Sequence, residues 1–198
     1  MKTWVTSDTH FGHDREFLYK PRGCQGIAEH DEKIIKNWNS IIQKEDIVYL
    51  LGDVILNDND YGMKCLSQLN GNIKIIRGNH DSPKRIALYE TLPNVEVLGW
   101  AEVIKFNKYN IYLSHHPTVT SNFDIEKPLK ARLINICGHS HTLDKFEDIN
   151  KGVIYHAEMD AHNCFPVDLE MVIEEIKTYI DENNKLSSEL NDNKINLL

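Results

Sequence analysis

The feature that most constrains this chain is a set of short apolar segments that each stop at a polar residue able to bind a cation. Trp4-Val5-Thr6 runs into Ser7-Asp8-Thr9-His10, Ile47 to Leu51 into Gly52-Asp53, and Ile73 to Ile76 towards Gly78-Asn79-His80-Asp81. Ile111 to Ser114 is followed by His115, and Leu133 to Cys137 by Gly138-His139-Ser140-His141. Segments of this length read as strands, and continuous apolarity without alternation marks strands buried on both faces. Ile34, Ile35, Trp38, Ile41 and Ile42, spaced by three and four, predict a helix over 31–43. Further helices are expected over 61–69, closed by Asn70-Gly71-Asn72, and over 169–180, with strands at 95–98, 101–106 and 153–159. Strands alternating with helices imply an α/β domain.

Loops at the carboxyl ends of strands are where α/β folds assemble their sites. In extended chain, residues i and i+2 face the same side, so Asp8 with His10 and His139 with His141 each present two donors together. Glycine just before Asp53, Asn79 and His139 permits a tight turn that aims a short side chain back over the strand end. Mixed carboxylate, imidazole and amide donors suit borderline divalent ions such as Mn, Fe, Zn or Ni better than Ca or a Cys-rich Zn site.

The series Asp8-x-His10, Gly52-Asp53, Gly78-Asn79-His80-Asp81, His115 and Gly138-His139-Ser140-His141 resembles the calcineurin-like metallophosphoesterase superfamily, in that family's order. The resemblance implies a fold of two mixed β-sheets packed as a sandwich and flanked by helices. It implies two divalent metal ions, with Mn the first expectation. Asp8, His10 and His141 would hold one ion, Asn79, His115 and His139 the other, and Asp53 would bridge them. His80 would be the catalytic general acid beside the substrate, and water acidified between two ions the nucleophile. His13 either touches the substrate phosphate or is a solvated loop residue. Some branches of the family carry an acidic residue or His three positions after the bridging Asp, where it orients the catalytic His. Leu56 stands there, leaving Asp81 or another loop to orient His80. The absence of Arg from Val54-Ile55-Leu56-Asn57-Asp58 sets the chain apart from the phosphoprotein phosphatase branch.

Other polar residues carry weaker expectations. Only one of His115 and His116 is expected in the site, because neighbouring side chains on an extended chain diverge. Asp160 and His162, at the end of the 153–159 strand, either reach the cleft or hold a ligand from behind, with plain structural roles the favoured expectation, and Cys137 is expected as an inert buried thiol.

The resulting expectation is a hydrolase of phosphomono- or phosphodiesters, nucleotide-like esters included; the alternatives are a nuclease of the same superfamily and a non-catalytic scaffold. A net charge of −8 counts against a broad nucleic-acid surface. A scaffold would be expected to have lost ligands, and all seven stand in place. Four scattered cysteines without a preceding signal peptide suit reduced thiols in a cytoplasm, and no apolar run approaches the roughly 20 residues of a membrane helix. The domain is expected over 1–180, with 181–198 a polar tail, frayed or disordered. Specificity is expected from loops 11–26, 57–62 and 117–132.

Overall fold

The computed structural model describes residues 1–120, 127–147 and 152–195. In chain order the elements are β1 (Thr3–Thr6), α1 (Glu16–Tyr19), α2 (Ile27–Ile41), β2 (Ile47–Leu50), α3 (Asn59–Leu66), β3 (Asn72–Ile76), α4 (Pro83–Tyr89) and β4 (Val95–Gly99). There follow β5 (Ala101–Phe106), β6 (Tyr109–Ser114), a 3₁₀ turn (Leu129–Ala131), β7 (Leu133–Cys137), β8 (Ile154–His156), β9 (Val167–Asp168) and α5 (Leu169–Ile195).

The strands form two mixed sheets, ordered β4-β3-β2-β1-β9 and β5-β6-β7-β8. In the first, β1 to β4 run parallel and β9 pairs antiparallel with β1. In the second, β6, β7 and β8 are parallel and β5 is antiparallel to β6. The expected α/β fold of two mixed sheets with flanking helices is the fold observed.

The continuous apolarity of the strands follows from their having a core on each side. In β1, Trp4 packs with Ile34, Trp38, Val48 and Leu50 against the helices, whereas Val5 packs with Ile111, Ile134 and Tyr155 of the second sheet. The second core also takes Leu169, Val172, Ile173 and Ile176 from α5. Burying one such side chain is worth roughly 1.5–3 kcal/mol, so these two cores carry most of the stability.

Helix boundaries differ from the periodicity where polar residues take over. Helix α2 begins four residues before the expected start because its first turns bury His30 and Asp31, which an apolar pattern does not register. Helix α3 begins at Asn59, where the Asp58 carboxylate accepts from the Asp60 and Tyr61 amides and so caps it. Helix α4 was not expected, although Ser82-Pro83 is a capping pair of the kind that opens helices. Helix α5 continues through the polar stretch to Ile195, and 196–198 lie outside the described residues. So do 121–126 of the expected specificity loop 117–132. Among the described residues no helix is long and apolar enough to cross a membrane.

One buried carboxylate ties the chain start to the first sheet. Asp46 accepts from the Lys2 amide at 2.7 Å, the Trp4 indole at 3.1 Å and the Gln43 amide at 3.1 Å. Burial works to raise its pKa, but these donors outweigh it and hold the group below the ordinary carboxylate value. A group depressed in the folded state contributes stability above its unfolded pKa of ~3.9 and loses it as pH falls through the folded value. Asp46→Ala is expected to cost ~1–3 kcal/mol in urea unfolding at neutral pH. The gap from wild type should close as pH is lowered below ~4.

Candidate functional site

Strands β1, β2 and β3 of one sheet and β6 and β7 of the other end on the same side, and their following loops meet at the seam. There the Ser7 amino-acid position bridges to Glu158 across the sheets, and the Met159 amide donates to the Ser7 carbonyl. Asp8 is wholly buried at this seam. Its Oδ2 accepts from the Ser7 hydroxyl at 2.5 Å and from the His139 amide at 2.9 Å, joining the end of β1 to the loop after β7.

The pairing of Asp8 with His10 and of His139 with His141 does not come from an extended pleat. Asp8, His10, Asp53, His139 and His141 all have left-handed backbones, with φ of 60°, 48°, 53°, 75° and 49°. Such conformations cost non-glycine residues of order 1–3 kcal/mol and persist where surroundings over-determine them. Here the Asp8, His10 and Phe11 amides donate to the Gly52, Asp53 and Val54 carbonyls, which holds the loop after β1 against the loop after β2. Gly138 is required by close approach: a Cβ there would collide with the Ser7 hydroxyl and the Asp8 carboxylate. Gly52 has φ +88° and is pressed against the Gly78 backbone.

The donor atoms fall into two groups. His10 Nε2 and His141 Nε2 are 3.1 Å apart, and Asp8 Oδ1 lies 3.5 Å from the first and 3.8 Å from the second. On the other side, His115 Nε2 lies 2.9 Å from Asn79 Oδ1 and 3.2 Å from His139 Nδ1. Asp53 stands between, its Oδ2 3.7 Å from His10 Nε2 and 3.5 Å from His115 Nε2. His115 Nδ1 is 2.7 Å from the Leu51 carbonyl, which turns Nε2 into the cluster.

This arrangement fits a pair of cations. Asp8 Oδ1 and His10 Nδ1 are buried with no hydrogen-bond partner among the described residues, a costly condition unless something else meets the carboxylate. Asp8, His10 and His141 place their donor atoms within 4.8 Å of one another, as do Asp8, Asp53 and His115. Burial works to lower the His115 pKa, but its bond to Asp53 and the charges of Asp8 and Asp53 raise it to about 9. Burial likewise opposes ionisation of Asp8, and His10, His115 and His141 outweigh it, holding the carboxyl well below its usual range.

His80 sits at the open face, its side chain 47% exposed and its Nε2 3.9 Å from Asp53 Oδ2. Its amide donates to Asp53 Oδ1 at 2.8 Å. Asp81 does not serve its ring. The two Asp81 oxygens accept from the Asp53, Val54 and Gly78 amides and the Tyr89 hydroxyl, which clamps the loop after β2 to the loop after β3. His13 lies at the rim, its ring 5.3 Å from that of His10. Burial first, then the His10 and His80 charges, lower its pKa to about 4, so it is neutral at neutral pH.

His116 is nearer the cluster than expected. β6 ends at Ser114, so the divergence of neighbouring strand residues no longer applies, and the His115, His116 and His139 donor atoms lie within 4.8 Å. Of the two expectations for Asp160, the geometry matches support of a donor from behind: its Oδ2 lies 3.0 Å from His141 Nδ1, and it also pairs with Arg22. No pattern in the sequence marks Arg22; the adjacency of His116 to His115 was visible.

The fold and the seam between its sheets define an α/β sandwich with a shared His, Asp and Asn donor cluster. The pattern of the Calcineurin-like phosphoesterase superfamily domain matches residues 1–164, and the chain belongs to that superfamily. An uncharacterized protein of Methanocaldococcus jannaschii is 33% identical over 181 residues, spanning 89% of this chain and 92% of its own. Gene 66 protein of Mycobacterium phage L5 is 30% identical over 164 residues, spanning 71% of this chain and 77% of its own. A protein of unknown function from Aquifex aeolicus shares the fold, with TM-score 0.67 at 21% identity over 87% of this chain and 98% of that one.

Asp81→Ala strands three buried amides and is expected to cost at least ~2 kcal/mol in urea unfolding. Unchanged stability with an altered dependence of rate on the leaving group would instead assign Asp81 to His80.

Proposed function

We propose that the protein hydrolyses phosphate esters at a two-metal centre, with Mn the first candidate and Fe, Zn or Ni also suited to the donors. The observation that carries this reading is the convergence of Asp8, His10, Asp53, Asn79, His115, His139 and His141, with Asp8 Oδ1 buried at its middle and without a hydrogen-bond partner among the described residues. Two divalent ions bound together there would supply a water acidified at neutral pH and positive charge for the phosphoryl oxygens.

The chain's own residues divide the remaining work. Asp8, His10 and His141 form one half of the centre and Asn79, His115 and His139 the other. Asp53 faces both halves and would be shared between the two ions. His80, half in solvent above Asp53, donates a proton to the leaving oxygen, a contribution typically of 10²–10⁴-fold. His13, neutral at the rim, offers a hydrogen bond to the substrate phosphate. The carboxylates beside His115 raise its pKa to about 9, so a cation bound there would have to displace its proton, and Mn affinity followed by titration is expected to rise with pH towards that value.

The substrate class is a small phosphomono- or phosphodiester, nucleotide-like esters included. The net charge of −8 favours this over a nuclease, and the complete donor set favours an enzyme over a scaffold. The four cysteines are buried free thiols, which supports action in the cytoplasm.

Asp53→Asn and His80→Ala separate the roles. With Mn supplied, elemental analysis and 4-nitrophenol release from bis(4-nitrophenyl) phosphate are expected to fall together in Asp53→Asn. His80→Ala should keep its Mn and lose kcat, most for substrates with poor leaving groups. Loss of Mn from His80→Ala would make His80 a ligand and overturn the assignment.

A further inference from the structure

We propose that Arg22 is the positioning residue of the Asp8–His10–His141 half of the centre, acting through Asp160 on His141 and through Asp8 and His30 on the His10 loop. The proposal rests on the metal reading above.

The Arg22 side chain is 1% exposed and the Asp160 side chain 6%, far from the surface setting usual for such a pair. Arg22 Nε donates to Asp160 Oδ1 at 3.0 Å and Nη2 to Asp160 Oδ2 at 2.6 Å, a two-pronged contact that fixes the carboxylate plane. A carboxylate with both oxygens held by a guanidinium fork is an acceptor only. His141 Nδ1, 3.0 Å from Asp160 Oδ2, is therefore the donor, and the other ring nitrogen, Nε2, is turned towards His10 and Asp8.

The same guanidinium holds two more segments. Arg22 Nη2 donates to the Asp8 carbonyl at 2.9 Å, supporting the left-handed backbone there. Nη1 lies 2.9 Å from His30 Nε2, and because a guanidinium has no acceptor, His30 accepts at Nε2 and carries its proton on Nδ1. That proton goes to Asp31 Oδ1 at 2.7 Å, and Asp31 Oδ2 accepts from the Gly12 amide at 2.9 Å. A continuous set of hydrogen bonds thus links His141 through Asp160, Arg22, His30 and Asp31 to the backbone two residues beyond His10, with both carboxylates accepting from either side.

Buried ion pairs of this kind contribute little net stability, since desolvation consumes most of the Coulomb gain. What the fork does supply is direction, for one imidazole and one loop of the same half-site. The other half is oriented differently, by the Leu51 carbonyl on His115 Nδ1. Removing the fork should therefore weaken one of the two cation-binding events and spare the other.

Isothermal titration calorimetry with Mn on metal-stripped wild type, Asp160→Asn, Arg22→Lys and Arg22→Met tests this, alongside the Tm of each metal-free protein. Wild type is expected to show two binding events; its failure to bind Mn would overturn the metal reading itself, and the proposal with it. Asp160→Asn and Arg22→Lys should each weaken one event 10–100-fold and leave the other unchanged. Lysine keeps the charge but cannot make the fork, so retention of affinity in Arg22→Lys would overturn the proposal. Equal weakening of both events, tracking a lowered Tm, would likewise overturn it by assigning Arg22 to general stability. If Arg22→Met does not fold, Arg22→Lys and the near-isosteric Asp160→Asn decide.

Discussion

The Asp8 carboxylate is the junction on which the site depends. One oxygen is spent within the protein, on the Ser7 hydroxyl and the His139 amide, and that second bond is made across 131 residues of chain. The other oxygen is buried, has no hydrogen-bond partner among the described residues, and faces His10 and His141. The first oxygen joins the end of β1 to the loop after β7, and the second is the atom to which the proposed cation would bind. A Cβ on Gly138 would intrude on this junction, so the glycine belongs to the same constraint.

The surrounding conformation is locally unfavourable and is held from outside. Five donor residues lie in the left-handed region, and His10 and His141 bring ring nitrogens within 3.1 Å. Three supports oppose this cost: the ladder between the loops after β1 and β2, the Asp81 clamp between the loops after β2 and β3, and the Arg22 network. The Asp81 clamp is itself anchored in the helix-facing core by Tyr89, which is fully buried and donates to Asp81. Rigid strands thus carry strained loops, the usual division between scaffold and site.

The strands were legible because their residues pack on both faces, so apolarity alone gave Ile47 to Leu50 and Leu133 to Cys137 nearly as they stand. The donors that gather at the seam were legible because each follows such a strand. The supports were not. Helix α2 was read short because His30 and Asp31, buried for the Arg22 network, look like solvent-facing residues in a linear pattern. Asp81 looked like a partner for its neighbour His80, whereas its oxygens reach amides of Asp53 and Val54 in another loop. The i, i+2 argument brought Asp8 and His10 together for the wrong reason, since the backbone there turns left-handed instead of continuing the strand. Sequence periodicity reports burial of apolar side chains; it carries no signal for polar groups that meet only after folding.

The central claim is that two cations occupy the seam with Asp53 between them. Crystals of Mn-loaded protein, with diffraction recorded at the Mn absorption edge, test it directly. Two anomalous peaks roughly 3.5–4 Å apart are expected, one against Asp8, His10 and His141, the other against Asn79, His115 and His139, both within reach of Asp53. A single peak, or peaks away from Asp53, would contradict the account.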